Sequence, residues 1–193
     1  MPEKHLLNEI FKSSGLSNDD LQAVVNSFKQ VSFQKNDYVL EEGQIANEYY
    51  FIESGFMRSF VRDTKGNDIT TAFYSNSQLV LEVPSFFLRI PTNENIQALT
   101  DCICWKISFE EFQVLFHKME GFREAGRKRL VNGFYSLKRR SLSMITETAD
   151  VRYLQLLKEH PEIFKYAPLK YIATYLGITD TSLSRIRKDL VRK

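Results

Sequence analysis

The sequence has no long apolar run and contains little cysteine or histidine. Among its 193 residues no stretch of about 18 apolar residues occurs, so no membrane-spanning helix is expected. The N-terminal MPEKHLLNEIF also lacks the apolar core of a secretory signal peptide. The two cysteines, Cys102 and Cys104, cannot supply the four thiolates that an iron–sulfur cluster ordinarily needs. We therefore expect a cytoplasmic protein with free thiols and without such a cluster.

Signatures of enzymes are missing as well. The chain has no P-loop, no GxSxG motif and no Cys/His constellation. Its histidines, His5, His117 and His160, all lie outside the strand-rich segment 31–107, where a β-barrel metalloenzyme would need several ligands. Their spacing does not indicate haem ligation either. We expect no enzyme and no metal site.

Charge is distributed unevenly along the chain, although the formal net charge is only +2. Residues 1–120 contain 10 Lys and Arg against 17 Asp and Glu, a net of −7. Residues 121–193 contain 16 against 7, a net of +9. A solvated charged surface would account for each charge alone, but less well for this separation. An acidic body with a basic C-terminal third predicts that the latter meets a polyanion.

The middle of the chain has the composition of antiparallel strands. After a helix that Ser17 is expected to cap, the segment from about 31 to 107 is rich in Val, Ile, Thr, Phe and Tyr, with glycines at turn positions. It includes the stretches VSFQKNDYVLEEG, EYYFIESG, FMRSFVRDTKGNDITTAFYS and DCICWKIS. This pattern predicts a small antiparallel sandwich or barrel with short turns.

The segment from about 109 to 146 returns to helical periodicity. Five of its residues follow a 4-3-4-3 spacing that is typical of a coiled-coil seam: Leu130, Phe134, Leu137, Ser141 and Met144. In many proteins such a seam packs on its own domain. Because this helix is long and follows a small β domain, we expect the seam to form a dimer interface.

The stretch YLGITDTSLSRIRKDL, residues 175–190, predicts two short helices joined by a sharp turn. Gly177 suits the left-handed position after the first helix, and Thr179 suits the N-cap of the second. The second helix has an apolar stripe and an opposite polar, basic face formed by Thr181, Ser184, Arg185 and Lys188. This is a helix-turn-helix arrangement, whose second helix enters a major groove of DNA. A helical packing unit with a solvated charged face is the alternative.

Along nearly its whole length the chain resembles the Crp–Fnr family of bacterial transcription regulators. FQKNDYVLEEGQIANEYYFIESGFMRSFVRDTKGNDITTAFYSNSQL resembles the family's cyclic-nucleotide-binding β-roll, and LKYIATYLGITDTSLSRIRKDL resembles its DNA-binding element. The resemblance implies an α+β fold with an antiparallel β-roll of the double-stranded β-helix or jelly-roll type and flanking helices over 1–108. A long dimerisation helix over 109–146 and a helix-turn-helix domain over 147–193 follow.

The same resemblance implies a homodimer that reads a pseudo-palindromic DNA operator through the helix near 179–191. RNA polymerase and a small-molecule effector are further expected partners. Arg185 is expected to reach a guanine edge, whereas Arg187, Lys188, Arg192 and Lys193 approach phosphates. The predicted DNA-binding residues are Thr179, Thr181, Ser182, Ser184, Arg185, Arg187 and Lys188.

The phosphate-binding segment LEVPSFFLRIPTNENIQAL departs from the family pattern. Glu82 matches the glutamate that accepts a hydrogen bond from the ribose, but Leu81 replaces a glycine, and Thr92 and Asn93 replace an Arg-Ser pair. Without that arginine a buried phosphate lacks its bidentate partner, and Arg89 replaces it only if the loop is rebuilt. We expect the candidate effector pocket to involve Glu82, Arg89, Thr92 and Asn93, and cyclic AMP not to bind in the usual mode. A surface or inter-strand carboxylate is the alternative interpretation of Glu82.

Two expectations remain. Family members commonly continue past the recognition helix into a β-hairpin wing, whereas this sequence ends at Lys193, so we expect no wing contacts to DNA. The alternative function is a small-ligand sensor or protein-interaction module that does not bind DNA and carries a vestigial helix-turn-helix.

Overall fold

Two clusters of buried apolar side chains organise the protein, one inside the N-terminal β structure and one among the C-terminal helices. The computed structural model describes residues 5–191, with the backbone alone for Val191. Helices flank an antiparallel β structure, so the predicted α+β fold is confirmed. Within the described part of the chain, no helix is both long and apolar enough to cross a membrane.

Two short helices precede the strands: α1 covers His5–Phe11 and α2 covers Asn18–Ser27. Ser17 caps α2, as predicted, because its hydroxyl accepts a hydrogen bond from the Asp20 backbone N–H at 3.1 Å. The ring of Phe11 lies 5.9 Å from the rings of both Phe28 and Phe51. These contacts place α1 and α2 on the same apolar core as the strands.

The strands form two four-stranded antiparallel sheets, which we call the roll. Their bounds are Lys29–Phe33 (β1), Tyr38–Leu40 (β2), Glu48–Ser54 (β3), Met57–Arg62 (β4), Asp68–Tyr74 (β5), Leu79–Val80 (β6), Asn95–Ala98 (β7) and Cys102–Ser108 (β8). One sheet has the order β1-β8-β3-β6 and the other has the order β2-β7-β4-β5. Each sheet therefore combines early and late strands, and the antiparallel structure predicted for 31–107 is confirmed.

Close approach between strands explains one glycine of the roll. Gly55 joins β3 to β4 with a φ of +113°. A Cβ atom there would lie 2.5 Å from the sulfur of Cys102 and 2.6 Å from the carbonyl oxygen of Asp101. Only glycine combines that backbone angle with that space. Cys102 and Cys104 are both buried free thiols, in agreement with the prediction.

The helix predicted over 109–146 is two helices, α4 (Phe109–Lys118) and α5 (Glu120–Thr146), so the prediction of one continuous helix was wrong. The backbone is extended at Met119, and Arg123 Nη1 donates to the carbonyl oxygens of Phe116 at 2.9 Å and His117 at 3.2 Å. The break allows Phe112 of α4 and Phe122 of α5 to enter the same core, with their rings 5.8 Å apart. Core packing thus overrides helical propensity.

The remaining helices are α3 (Val83–Leu88), between β6 and β7, and the C-terminal α6 (Ala149–Glu159), α7 (Pro161–Tyr166), α8 (Leu169–Tyr175) and α9 (Asp180–Val191). The C-terminal four share the second core, which includes Leu156, Ile172 and Leu183. Two residues of the roll, Phe56 and Leu99, also belong to that core. The C-terminal helices are therefore packed against the roll.

Candidate functional site

Helices α8 and α9 are joined by a tight turn. Gly177 has a φ of +69°, the left-handed conformation predicted for it. Its N–H donates to the Thr174 carbonyl at 3.0 Å, and the Ile178 N–H donates to the Ala173 carbonyl at 3.0 Å. This pair of bonds is a Schellman motif, which ends a helix and turns the chain within two residues. These local bonds produce the predicted sharp turn between α8 and α9.

The start of α9 is set by Thr179. Its hydroxyl accepts a hydrogen bond from the Ser182 backbone N–H at 3.2 Å and donates to the Ser182 hydroxyl at 3.0 Å. Thr179 is thus the predicted N-cap. The Thr179 hydroxyl is thus engaged in the cap as donor and acceptor, whereas the Ser182 hydroxyl accepts from Thr179 and keeps its own O–H as a donor. Both residues stay predicted DNA contacts.

The two faces of α9 differ as predicted. Leu183 and Ile186 are buried against the second core, whereas the opposite face is exposed. The exposed side chains are Thr181, Ser184, Arg185, Arg187 and Lys188. Within residues 5–191 no ion pair holds the three basic side chains to the protein. Arg192 and Lys193, predicted to approach phosphates, lie outside the described residues.

The second half of α5 carries a row of exposed apolar side chains. At the predicted seam, Leu130, Phe134, Leu137 and Met144 are 41%, 68%, 63% and 39% exposed, and Ser141 is exposed between them. A groove of about 1690 Å³ runs between this part of α5 and the roll, and it is lined by Phe51, Tyr74 and Phe87 among others. Burying such surface is favourable at about 25 cal/mol per Å². This face of α5 is therefore apolar and largely uncovered among the described residues.

Two of the predicted effector-pocket residues, Glu82 and Thr92, form hydrogen bonds within the protein. The Glu82 carboxylate caps α3 by accepting a hydrogen bond from the Ser85 N–H at 2.6 Å. The Thr92 backbone bonds Gln44 and Gly43 at 2.8 Å each, and its buried hydroxyl accepts from the Glu94 N–H at 2.9 Å. Asn93 is exposed. Glu82 is therefore a helix cap, a role that neither the ligand-contact interpretation nor the surface or inter-strand interpretation gave it.

Arg89 is also held by neighbouring residues. Its Nη1 donates to the Ala46 carbonyl at 2.7 Å, its Nη2 donates to the Asn47 side chain, and its guanidinium lies 4.2 Å from the ring centroid of Phe109. Arg89 is itself in the left-handed conformation, with a φ of +57°. The partly exposed Arg89 side chain is thus already engaged by neighbouring residues, and a ligand would have to replace these contacts.

A cluster of polar groups inside the roll was not found from the sequence. The Tyr74 hydroxyl lies 2.9 Å from the Ser59 hydroxyl. Burial raises the pKa of Tyr74 to about 12, and the nearby carboxylates of Glu94 and Glu82 act in the same direction. Burial also raises the pKa of Glu94, with a further contribution from the charge of Glu82. No spacing in the sequence brings these residues together, because they come from separate strands and loops. Two carboxylates in this region disfavour an anionic phosphate.

Comparisons with known proteins agree with this architecture. Residues 30–119 match the family model of the cyclic nucleotide-binding domain. Comparison with curated protein sequences gives no match.

Three solved structures are similar over most of the chain, each at 16% sequence identity. The c-di-GMP responsive global regulator CLP from Xanthomonas campestris has a TM-score of 0.71 and covers 91% of this chain and 92% of its own. FixK2 from Bradyrhizobium japonicum has a TM-score of 0.71 and covers 86% of this chain and 85% of its own. A regulator of the crp/fnr family from Eubacterium rectale has a TM-score of 0.72 and covers 92% of this chain and 85% of its own. At this identity the similarity shows the fold.

The family match and the structural similarities cover the roll, α5 and the C-terminal helices together. Residues 30–119 therefore match the cyclic nucleotide-binding domain family, and the chain has the fold of the solved crp/fnr regulators.

Proposed function

We propose that this protein is a DNA-binding transcription regulator that acts as a homodimer. In this proposal residues 1–108 form the sensor domain, 109–146 carry the dimer interface and 147–193 bind DNA. The observation that carries the proposal is the exposed basic face of α9, placed after a Schellman turn and backed by a buried apolar stripe. A helix with this geometry enters the major groove, where side chains read base edges.

Electrostatics support the same role. The three exposed basic residues of α9 are not neutralised by ion pairs with the described part of the protein, so they are available to phosphates or bases. Arg185 lies near the middle of the outward face, where a long side chain reaches a base edge. Arg187 lies toward the flank, where the DNA backbone is closer. The net of +9 over residues 121–193 adds a sequence-independent attraction to DNA.

The dimer is supported by the exposed seam of α5. From Leu130 to Thr146 nearly every residue of this helix is exposed, and only Arg140 and Ser143 are partly covered. A helix of this length with Phe134 and Leu137 facing solvent is incompletely buried in one chain. The same helix of a second copy supplies an apolar face of matching length. In such a dimer two α9 helices read half-sites about 34–36 Å apart, or one DNA turn.

The effector is proposed not to be cyclic AMP bound in the usual mode. Glu82 is used as a helix cap, Thr92 is bonded within the loop, and Arg89 is bound to Ala46 and Asn47. No described side chain in this segment is placed as the bidentate partner of a buried phosphate. Calorimetry with cyclic AMP is expected to show no binding, and low-micromolar affinity would overturn this part of the proposal.

DNA binding is tested by selecting fragments from the source genome, including the region upstream of the protein's own gene, followed by gel shifts. Wild type is expected to retain specific fragments, and a variant carrying both Arg185→Ala and Lys188→Ala is expected to lose them. Retention of no fragment by a folded, dimeric wild type would contradict the proposal. That result would favour a ligand-sensing or protein-interaction module instead. Contacts with RNA polymerase stay a prediction and need a separate binding measurement.

A further inference from the structure

The groove between α5 and the roll is larger and longer than a pocket for a small polar ligand. Its volume is about 1690 Å³, whereas small-molecule sites commonly have about 300–1,000 Å³. Helix α5 lines it from Phe122 to Met144, which is about 33 Å at the α-helical rise. Eleven aromatic side chains, among them Phe51, Phe87 and Phe112, also line it. An occupant that fills this space is therefore elongated and largely apolar.

Helix α5 presents bare backbone to this groove at two positions. Gly126 and Gly133 both line it, and two helical turns separate them, so they share one face of the helix. A Cβ atom at either position would meet nothing within 4 Å. Glycine inside a helix costs about 1 kcal/mol relative to alanine, and the packing of the described residues does not require it. An occupant can thus lie directly against the helix at these positions.

Arg129 lies between the two glycines and provides a cation at the end of the groove next to α1. Its guanidinium carbon is 4.8 Å from the ring centroid of Phe11 and 5.5 Å from that of Phe51. Its Nη2 donates to the Ile10 carbonyl at 2.9 Å, which uses one of several N–H donors of the guanidinium. No carboxylate in the described part of the chain forms an ion pair with it. Burial lowers the pKa of Arg129, because desolvation disfavours the charged form.

The lining of the groove is cationic, with six arginines and three glutamates. Arg127 and Arg139 have carboxylate partners, and Arg140 donates to two backbone carbonyls. Arg129 instead lies against aromatic rings, where a charge without a counter-ion is costly. An anionic group beside Arg129 would supply that counter-ion, and a carboxylate matches the two-pronged geometry of a guanidinium.

We infer that the groove binds an elongated apolar carboxylic acid, such as a medium- or long-chain fatty acid, with its carboxylate on Arg129. The tail lies along the bare face of α5 at Gly133 and against the aromatic wall of the roll. The site differs from the predicted effector pocket, none of whose four residues lines the groove. The inference does not depend on DNA binding, because every contact is made within this part of the chain.

Binding is measured by calorimetry on the full chain with decanoate, kept below the concentration at which it forms micelles. Decanol has the same tail without the charge, and butanoate has the charge with a short tail. Decanoate is expected to bind about tenfold or more tightly than either reference compound, because it makes both the apolar and the charged contacts. Absence of decanoate binding by folded wild type, or equal affinities for decanoate and decanol, overturns the inference.

Arg129→Gln tests the contact with the carboxylate. Loss of the charge is expected to weaken decanoate binding about tenfold or more and to leave decanol binding nearly unchanged. Arg129→Lys keeps the charge but not the two-pronged geometry, so its affinity for decanoate should be intermediate. Arg127→Gln is the matched control, because that exposed arginine is already paired with Glu124. An equal loss of both compounds in Arg129→Gln would show that this side chain only holds α1 in place, and would overturn the assignment.

Gly133→Leu tests the position of the tail. The leucine side chain enters space that is open among the described residues, so the variant is expected to fold and to bind both decanoate and decanol about tenfold or more weakly. Gly133→Ala is the matched control, because it gains the helical propensity with one added carbon, and it should retain binding.

A second copy of the chain is the rival occupant, because the groove borders the seam of α5. Light scattering on Gly133→Leu separates the two. If this variant no longer dimerises but binds decanoate as wild type does, the bare face belongs to the contact between copies and the inference is overturned.

The proposed function is decided by different measurements. Gel shifts report DNA binding, whereas the calorimetry uses no DNA. Wild type that binds decanoate but no DNA would support this inference and contradict the proposed function. Wild type that binds DNA but not decanoate would do the reverse.

Discussion

The outer face of α9 and the segment from Glu82 to Asn93 make opposite use of their polar side chains. On α9 the basic residues are exposed, and no ion pair with the described residues engages them. Between β6 and β7 the side chains of Glu82, Arg89 and Thr92 bond their own loop and helix. Polar groups left without partners on a surface are available to a second molecule. Polar groups that form hydrogen bonds within the protein instead stabilise the conformation of the loop that carries them.

This difference indicates which site is ready for a partner. In the proposed function, the exposed basic side chains of α9 meet DNA without breaking an ion pair among the described residues, whereas a ligand that used Glu82 or Arg89 would first have to break existing hydrogen bonds. The exposed seam of α5 belongs with α9 in this respect, because its apolar side chains also lack cover. Four predictions test the comparison between surfaces that await a partner and residues already engaged in the fold.

The largest effect is expected at the seam. Changing Phe134 and Leu137 together to Asp places two charges in the proposed interface, so the dimer should dissociate at micromolar concentration. Loss of the second half-site contact should then lower operator affinity about 100-fold or more. Light scattering and fluorescence anisotropy measure the two quantities. Tyr135→Asp, on the same helix but off the seam, is the control and should stay dimeric. A monomeric wild type would contradict this prediction.

A smaller loss is expected on α9. Arg185→Ala should cost about 1–3 kcal/mol on the cognate site and relax the preference at one base pair. Arg187→Ala should weaken binding to cognate and scrambled DNA alike. It should also reduce the slope of the logarithm of the binding constant against the logarithm of salt concentration by about one unit. Salt titrations on both duplexes compare the two variants. An equal loss on both duplexes for Arg185→Ala would make that residue another backbone contact.

A still smaller effect, on stability, is expected at Glu82, whose side chain caps α3. Glu82→Ala removes the cap of α3 and should lower the free energy of unfolding by about 1 kcal/mol. Urea denaturation measures the change, with Glu41→Ala, an exposed acidic residue, as the control. If Glu82→Ala leaves stability unchanged, the cap does not contribute and Glu82 regains its candidacy as a ligand contact.

The smallest effect should come from Glu94. Burial raises the pKa of this carboxyl in the folded protein, so folding favours its protonated form. Its ionisation at neutral pH therefore lowers the free energy of unfolding, and this loss disappears below about pH 4, where the group is protonated in both states. Glu94→Gln should be more stable than wild type at pH 7, with a gain that shrinks toward acid pH. Thermal unfolding against pH measures it, with Glu41→Gln as the control, and a gain that grows toward acid pH would contradict it.

Local patterns determined the parts of the fold that rest on short-range bonds. The cap at Ser17, the left-handed turn at Gly177 and the cap at Thr179 involve residues at most five positions apart, so the sequence showed them directly. Alternation and turn residues likewise indicated the antiparallel strands, and the spacing of Leu183 and Ile186 identified the buried stripe of α9. The family resemblance rested on these same stretches and supplied the roll topology.

Tertiary structure alone decided the features that join distant residues. The end of α4 near Met119 follows from core packing of Phe112 with Phe122, which helical periodicity does not encode. The contact between Thr70 and Thr174 joins positions 104 residues apart. Side-chain partners such as those of Arg89 and Glu94 depend on which loops the two sheets bring together. Sequence patterns report the conformation of neighbouring residues, whereas burial and pairing across the fold depend on the three-dimensional placement of whole elements.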